Sequence, residues 1–171
     1  MTAFTTTRED HLIAWLTALA ICIHIAESAL PSPLPGIKPG LANVVTIAVL
    51  LRYGWRMAAW ITLLRVLVGS LLLGTFLSPT FILSLSGAVC GILALGVAHA
   101  LSTRLPGTGL GALGYSMLAA LAHMAGQFFV AYALFIPHPA LLHLLPVLMT
   151  AALLFGLVSG RVAQALLDRV T

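Results

Sequence analysis

Charged residues are scarce in this sequence. Among 171 residues, Asp, Glu, Lys and Arg together make up 7%, whereas 61% of the residues are hydrophobic. Soluble domains carry about 25% charged residues because their surfaces face water. This chain cannot cover a water-facing surface in that way, so lipid is its expected solvent. The net charge of +4 is spread thinly along the chain and makes no nucleic-acid-binding face.

Clustered acids and catalytic motifs are also missing. A diphosphate bound through magnesium normally needs several carboxylates in one place, and no P-loop, H-E-x-x-H or nucleophile elbow occurs. The two cysteines, Cys22 and Cys90, stand singly in apolar runs, which gives no zinc-site spacing and predicts small core residues. We therefore expect no enzyme and no metal site, and the sequence names no cofactor. The acidic side chains are Glu9, Asp10, Glu27 and Asp168.

Long apolar runs dominate what is present. A membrane-spanning helix needs about 20 apolar residues, and five runs reach that length. A sixth run, Leu41–Leu51, is too short alone, and Pro146 is expected to kink or shorten the last run. The chain is predicted to be a single all-α transmembrane domain over residues 1–171 with six spans. The five long runs are His11–Leu30, Met57–Leu77, Phe81–Leu101, Leu110–Phe135 and Leu141–Leu167.

The basic residues sort to one side of such a six-span chain. The opposite side receives only Lys38. Cytoplasmic loops are enriched in Lys and Arg, so we predict a bacterial cytoplasmic membrane protein with both termini in the cytoplasm. A count of five or seven spans would scatter the arginines over both sides. The arginines on the predicted cytoplasmic side are Arg8, Arg52, Arg56, Arg104, Arg161 and Arg169.

The second span is short because proline interrupts it. Counting about 20 residues back from Arg52 reaches Ser32, yet Pro31–Gly40 contains four prolines and two glycines and cannot be a regular helix. We predict that Pro31–Gly40 re-enters the outer half of the membrane. Irregular backbone at that depth needs burial or a wet cavity, and Lys38 and Asn43 would face it.

Polar residues inside the spans mark a candidate binding pocket, because ionisable groups in a membrane are costly and often functional. His24 and Glu27 share one helix face, and His123 and Gln127 share another. Ala14 and Ala18 form a small-residue pair that is predicted to dock a partner subunit or to pack within the chain. The predicted ligand-binding residues are His24, Glu27, Lys38, Asn43, Arg65, Ser70, His123 and Gln127.

Simpler interpretations of these residues remain open. Glu27 can be solvated at the membrane interface, and Arg65 can serve as an ion-pair partner or a cap for the Pro-rich loop. His123 and Gln127 can hydrogen-bond neighbouring helices. The pairs Gly87/Gly91 and Gly156/Gly160 favour close helix packing within the chain.

Three stretches resemble a known family. They are AESALPSPLPGIKPGLANVVTIAVL (Ala26–Leu50), LLRVLVGSLLLGTFLSPTFILSLSG (Leu63–Gly87) and AHMAGQ (Ala122–Gln127). They are similar to the Gx transporter family, often labelled heptaprenyl diphosphate synthase component I. That family is similar to the S components of energy-coupling-factor transporters, which are six-helix proteins that capture a small molecule from outside.

The resemblance implies a substrate-capturing subunit that binds a small molecule in an outward-facing pocket. Its partners would be a coupling subunit and an ATPase module, and Ala14 and Ala18 match the small-residue docking face of S components. The alternative is the membrane subunit of an extracytosolic flavin or quinone electron-transfer system, with flavin-carrier partners. A non-catalytic accessory in prenyl or quinone biosynthesis is the third interpretation.

Overall fold

The computed structural model describes residues 7–29, 42–105 and 109–170, and this part of the chain is helical without a β-strand. The Pro-rich segment Pro31–Gly40 and Lys38 lie outside the described residues, so its predicted re-entry stays a prediction. A π-helical turn follows α5 at Ala131–Phe135, and a 3₁₀ helix precedes α6 at Pro139–Leu144. The helices are α1 Arg8–Ala29, α2 Ala42–Tyr53, α3 Trp55–Leu72, α4 Pro79–Arg104, α5 Ala112–Val130 and α6 Leu145–Val170.

Five of these helices are long and apolar enough, by length and composition, to cross a membrane among the residues described. The exception is α2, a 12-residue apolar helix. Large apolar side chains such as Trp15, Leu93 and Leu154 are more than half exposed on the outside of the bundle. Side chains of this kind suit a lipid solvent, and the chain is a helical, polytopic membrane protein.

Helix α2 lies in the centre of the bundle, where it packs against α1, α3, α5 and α6. Val44, Ile47 and Leu50 of α2 are almost completely buried. Gly54 alone separates α2 from α3, and its φ of 90° is a conformation that glycine adopts without a steric penalty. The two helices therefore form a tight antiparallel hairpin, which keeps the short α2 inside the bundle.

The turn between α3 and α4 corrects one predicted boundary. The run Met57–Leu77 was expected to be one helix, but α3 ends at Leu72. Gly74 has a φ of 67° and Leu77 a φ of 62°, so the backbone reverses there although the residues are apolar. Ser78 then caps α4 by accepting a hydrogen bond from the Phe81 amide.

Helix α6 is shorter at its start than the predicted run Leu141–Leu167, as Pro146 suggested. The regular α-helix begins at Leu145, so Pro146 lies in its first turn, where no backbone N–H is needed.

A separate correction concerns Cys22, which was expected in the core. Its side chain is exposed on α1, whereas Cys90 is half-buried between α4 and α5.

Glycines let α5 approach both α4 and α6, and these are the most extensive helix interfaces. A Cβ atom on Gly126 would lie 2.6 Å from the Cys90 Sγ of α4. A Cβ atom on Gly160 of α6 would lie 2.8 Å from the Leu113 Cα. Both distances are shorter than any ordinary contact, so the close packing requires glycine. The GxxxG pairs therefore allow close packing between helices of the same chain.

One end of the bundle gathers most of the arginines. At this end α1 begins, α2 and α3 meet, α4 ends and α6 ends. We call it the arginine end, and we call the other end, which holds the α3–α4 turn, the far end. The arginines near the arginine end are Arg8, Arg52, Arg56, Arg104 and Arg169.

Candidate functional site

A cavity of about 640 Å³ lies inside the bundle, and all six helices contribute to its wall. This volume falls within the usual range for small-molecule sites, roughly 300–1,000 Å³. Seven of the eight predicted ligand-binding residues line it, and the eighth, Lys38, lies outside the described residues. The seven are His24, Glu27, Asn43, Arg65, Ser70, His123 and Gln127.

Helix α1 supplies His24 and Glu27 from one face. Three residues separate them, so they lie about one helical turn apart on the same side. Glu27 is only 4% exposed, so its interpretation as a solvated interfacial acid is wrong. The His24 ring packs close to α3, where a Cβ atom on Gly69 would lie 3.8 Å from the His24 Cδ2. Helix α1 therefore brings a buried acid and an imidazole into the bundle interior.

Helix α3 supplies Arg65, which carries a positive charge on the cavity wall. Its Nε atom is buried and has no hydrogen-bond partner. Glu27 acts electrostatically on Arg65 across the cavity wall. A buried cation needs a nearby anion or an acceptor, because losing its hydration costs several kcal/mol. The interpretation of Arg65 as an ion-pair partner stays a prediction, and its Nε atom leaves one donor available to a ligand.

Helix α5 supplies His123 and Gln127, which lie against Gly87 of α4. A Cβ atom on Gly87 would lie 2.7 Å from the His123 Nε2 and 2.8 Å from the Gln127 Cγ. The His123 ring therefore packs closely against the backbone of α4, and the same side chain lines the cavity. The interpretation that His123 and Gln127 hydrogen-bond neighbouring helices stays a prediction.

Hydroxyl groups of the α3–α4 turn and of the adjoining helix turns have two roles. Thr75, Thr80 and Ser84 line the cavity. Ser78 and Ser86 donate to backbone carbonyl oxygens instead. The predicted ligand residue Ser70 does both, because it lines the cavity while its hydroxyl donates to the Leu67 carbonyl at 2.8 Å. Its lone pairs remain the groups it can offer a ligand.

A buried threonine pair in the wall was missed by the sequence reasoning. The Thr46 and Thr62 hydroxyl oxygens are 3.1 Å apart, and both side chains line the cavity. The signal was present in the sequence, because each threonine stands eight residues from Gly54, the hinge of the α2–α3 hairpin. Residues placed equally on either side of a tight hairpin face each other.

The apolar part of the wall was also missed. It comes from α4, α5 and α6 and combines small residues with larger ones. Nothing in the composition distinguishes these residues from lipid-facing ones. They are Phe81, Leu83, Ala88, Gly91, Ile92, Leu95, Ala119, Ala120, Met124, Ala152, Phe155 and Gly156.

The predicted docking residues, Ala14 and Ala18, are exposed on α1 and do not line the cavity. Their docking role stays a prediction.

A G-x-G-x-x-G spacing occurs at Gly109, Gly111 and Gly114, but α4 precedes it. A dinucleotide-binding loop would follow a strand, so this spacing carries no nucleotide site.

Comparison with known proteins identifies a family. The family described as heptaprenyl diphosphate synthase component I matches residues 16–166. The match includes every described residue that lines the cavity and confirms the resemblance to this family. No curated protein and no solved structure matches the chain.

Proposed function

The chain belongs to the heptaprenyl diphosphate synthase component I family, and we propose that it is the substrate-capturing membrane subunit of a small-molecule transporter. One observation carries the proposal. The intrabundle cavity of about 640 Å³ is lined by Glu27, Arg65 and His123, which are ionisable groups at membrane depth. Such groups are expensive inside a membrane and mark substrate paths. A cavity built around them is the expected feature of a subunit that holds a polar guest.

The proposed orientation places the arginine end in the cytoplasm. Arginines collect there at five helix ends, as the positive-inside rule describes for cytoplasmic loops. With α2 counted as a span, the chain crosses the bacterial cytoplasmic membrane six times and has both termini in the cytoplasm. His24 and Glu27 then lie toward the outer side, from which the ligand enters.

The length of α2 supports the proposed re-entrant segment. Twelve residues of helix cover about 18 Å, whereas the hydrocarbon core is about 30 Å thick. Helix α2 ends at the arginine end, so Pro31–Gly40, which precedes it in the chain, would cover the remaining depth. In this proposal Lys38 reaches the outer part of the cavity beside Asn43.

A catalytic role, which the family description suggests, fits the site less well. Diphosphate chemistry through magnesium normally uses clustered carboxylates. Among the described residues, Glu27 is the only Asp or Glu that lines the cavity. We therefore propose that this chain binds and does not catalyse.

A transporter of this kind needs a coupling subunit and an ATPase module. Among the described elements, helix α1 packs mainly against α2 and α3, so much of its surface is left for a partner or for lipid. Ala14 and Ala18 lie on that exposed surface and would allow a partner helix to approach closely. We propose this surface of α1 as the docking face.

The test is native mass spectrometry of the protein purified from its own membranes. We expect a bound small molecule on the wild-type protein and its loss in Arg65→Met. The matched control is Arg56→Met, because Arg56 is exposed and does not line the cavity. Wild-type protein that carries no small molecule, or equal occupancy in Arg65→Met and wild type, would contradict the proposal.

A further inference from the structure

A second concave site lies on the outer surface of the bundle. It is a groove of about 200 Å³ on α3, and it has no described lining residue in common with the cavity. We call it the α3 groove. Its lining residues are Trp55, Arg56, Ala59, Trp60 and Leu63.

Helical spacing explains how the α3 groove forms. Trp55, Ala59 and Leu63 are four residues apart and therefore form one row along α3. Arg56 and Trp60 form the adjacent row. Ala59 is the smallest of the five, so the larger side chains around it leave a recess over its methyl group.

One wall of the α3 groove is fixed by contacts with α4. The Trp55 Nε1 donates a hydrogen bond to the Ile92 carbonyl oxygen at 2.8 Å. The indole lies so close to α4 that a Cβ atom on Gly96 would be 2.6 Å from the Trp55 Nε1. A guest that enters the groove therefore meets a pre-formed wall, which lowers the entropy cost of binding.

The α3 groove is charged at one end and apolar at the other. Arg56 is exposed and is the second residue of α3, so its guanidinium lies close to the arginine end. Leu63 lies seven residues later, so the groove extends about 10 Å from Arg56 toward the middle of the bundle. Trp60 borders it and is 57% exposed. Tryptophan is enriched at the level where lipid headgroups meet the hydrocarbon.

A phospholipid has the same order of groups along the membrane normal. Its phosphate lies at the surface, where the planar guanidinium of Arg56 can bind two phosphate oxygens. Its acyl chains lie below, at the level of Ala59 and Leu63. A volume of about 200 Å³ equals roughly seven water molecules at about 30 Å³ each, which is room for a segment of one acyl chain.

We propose that the α3 groove binds an anionic phospholipid of the leaflet at the arginine end, with the phosphate at Arg56 and one acyl chain over Ala59. A zwitterionic lipid carries a cation beside its phosphate, which offsets the attraction to Arg56. The groove therefore prefers anionic lipids. This inference does not rest on the proposed function, because the groove and the cavity are lined by different residues.

The test measures tryptophan quenching by lipids that carry bromine on their acyl chains. The chain has three tryptophans, and Trp15→Phe leaves Trp55 and Trp60, which both line the groove. Purified full-length Trp15→Phe protein is placed in vesicles of phosphatidylcholine that contain brominated phosphatidylglycerol or brominated phosphatidylcholine. We expect the phosphatidylglycerol to bind beside the two indoles about fivefold more tightly, the effect of one arginine near a membrane surface.

Two arginine variants in this background separate the groove from the general charge of the surface. Arg56→Gln should abolish the preference for phosphatidylglycerol. The matched control is Arg104→Gln, because Arg104 is an exposed arginine near the same end that does not line the groove. It should keep the preference. An equal loss in both variants would overturn the proposal, because diffuse surface charge would then explain the binding.

A third variant tests the apolar part without changing any charge. Ala59→Leu fills the recess, so phosphatidylglycerol should bind more weakly than to the Trp15→Phe background. Unchanged affinity in Ala59→Leu would overturn the proposal, because the acyl chain would then not use the groove. Equal binding of the two lipids in the Trp15→Phe background would overturn it as well. So would indoles that neither lipid quenches, because another part of the protein would then cover the groove.

Discussion

Replacing Gly87 by alanine should damage ligand binding while leaving the fold intact. The added Cβ atom would lie 2.7 Å from the His123 Nε2 and 2.8 Å from the Gln127 Cγ. Ordinary contacts between such atoms are about 3.5–4.0 Å, so both side chains must shift by roughly 1 Å. The atoms that meet the new methyl group belong to side chains, which can rotate away without moving α5.

The expected magnitude follows from the hydrogen bonds that these two side chains offer a ligand. Each typical hydrogen bond contributes about 0.5–1.5 kcal/mol, so misplacing His123 and Gln127 costs roughly 1–3 kcal/mol in binding. That corresponds to a dissociation constant about 5- to 150-fold higher. Alanine also has a helix propensity better than that of glycine by about 1 kcal/mol, so thermal stability should not fall.

The assay titrates the molecule extracted from wild-type protein into the emptied variants. Gly69→Ala is the control, because this buried glycine of α3 does not line the cavity and gains the same methyl group. Its Cβ atom would meet the His24 Cδ2 at 3.8 Å, which is an ordinary contact. Equal affinity in Gly87→Ala and Gly69→Ala would refute the argument that Gly87 positions His123 and Gln127.

Three further predictions test packing and topology. Gly160→Ala places a Cβ atom 2.8 Å from the Leu113 Cα, so α5 and α6 must separate; we expect a loss of about 1–3 kcal/mol in thermal unfolding, and unchanged stability would contradict it. Thr46→Val leaves the Thr62 hydroxyl buried without its 3.1 Å partner, so the single variant should lose about 1–3 kcal/mol, whereas the double valine variant should recover most of that loss. Arg104→Cys in a background without Cys22 and Cys90 should react with a membrane-impermeant thiol reagent only after the membrane is opened; labelling of intact cells would refute the proposed orientation.

The polar wall was largely predictable from the sequence, for an energetic reason. A charged or strongly polar side chain in a lipid-facing position costs several kcal/mol, so such residues face the interior of the bundle. Helical spacing then places His24 beside Glu27 and His123 beside Gln127. These two constraints explain why all four residues line the cavity.

The apolar wall was not predictable, because lipid and the bundle interior are both apolar. Ala88 is 1% exposed and lines the cavity, whereas its neighbour Val89 is 37% exposed. Moving an apolar side chain from lipid into the bundle interior changes its free energy little. Hydrophobicity therefore does not predict which of the two environments an apolar residue faces.

The end of α3 was missed for a related reason. The apolar residues up to Leu77 continue the hydropathy of the helix, while the positive φ of Gly74 and Leu77 turns the backbone.

Arg65 and Glu27 line the same cavity from different depths in the bundle. Arg65 lies ten residues after the start of α3, whereas Glu27 lies near the end of α1. The packing of His24 against Gly69 fixes the relative level of α1 and α3. From that level Glu27 lies about 4.5 Å toward the far end, and Arg65 lies about 6 Å toward the arginine end. The backbone gap is therefore about 10 Å, and His24 lies at a level between the two charged residues. The acid, the imidazole and the guanidinium thus follow one another along the length of the cavity, at three levels of the bundle.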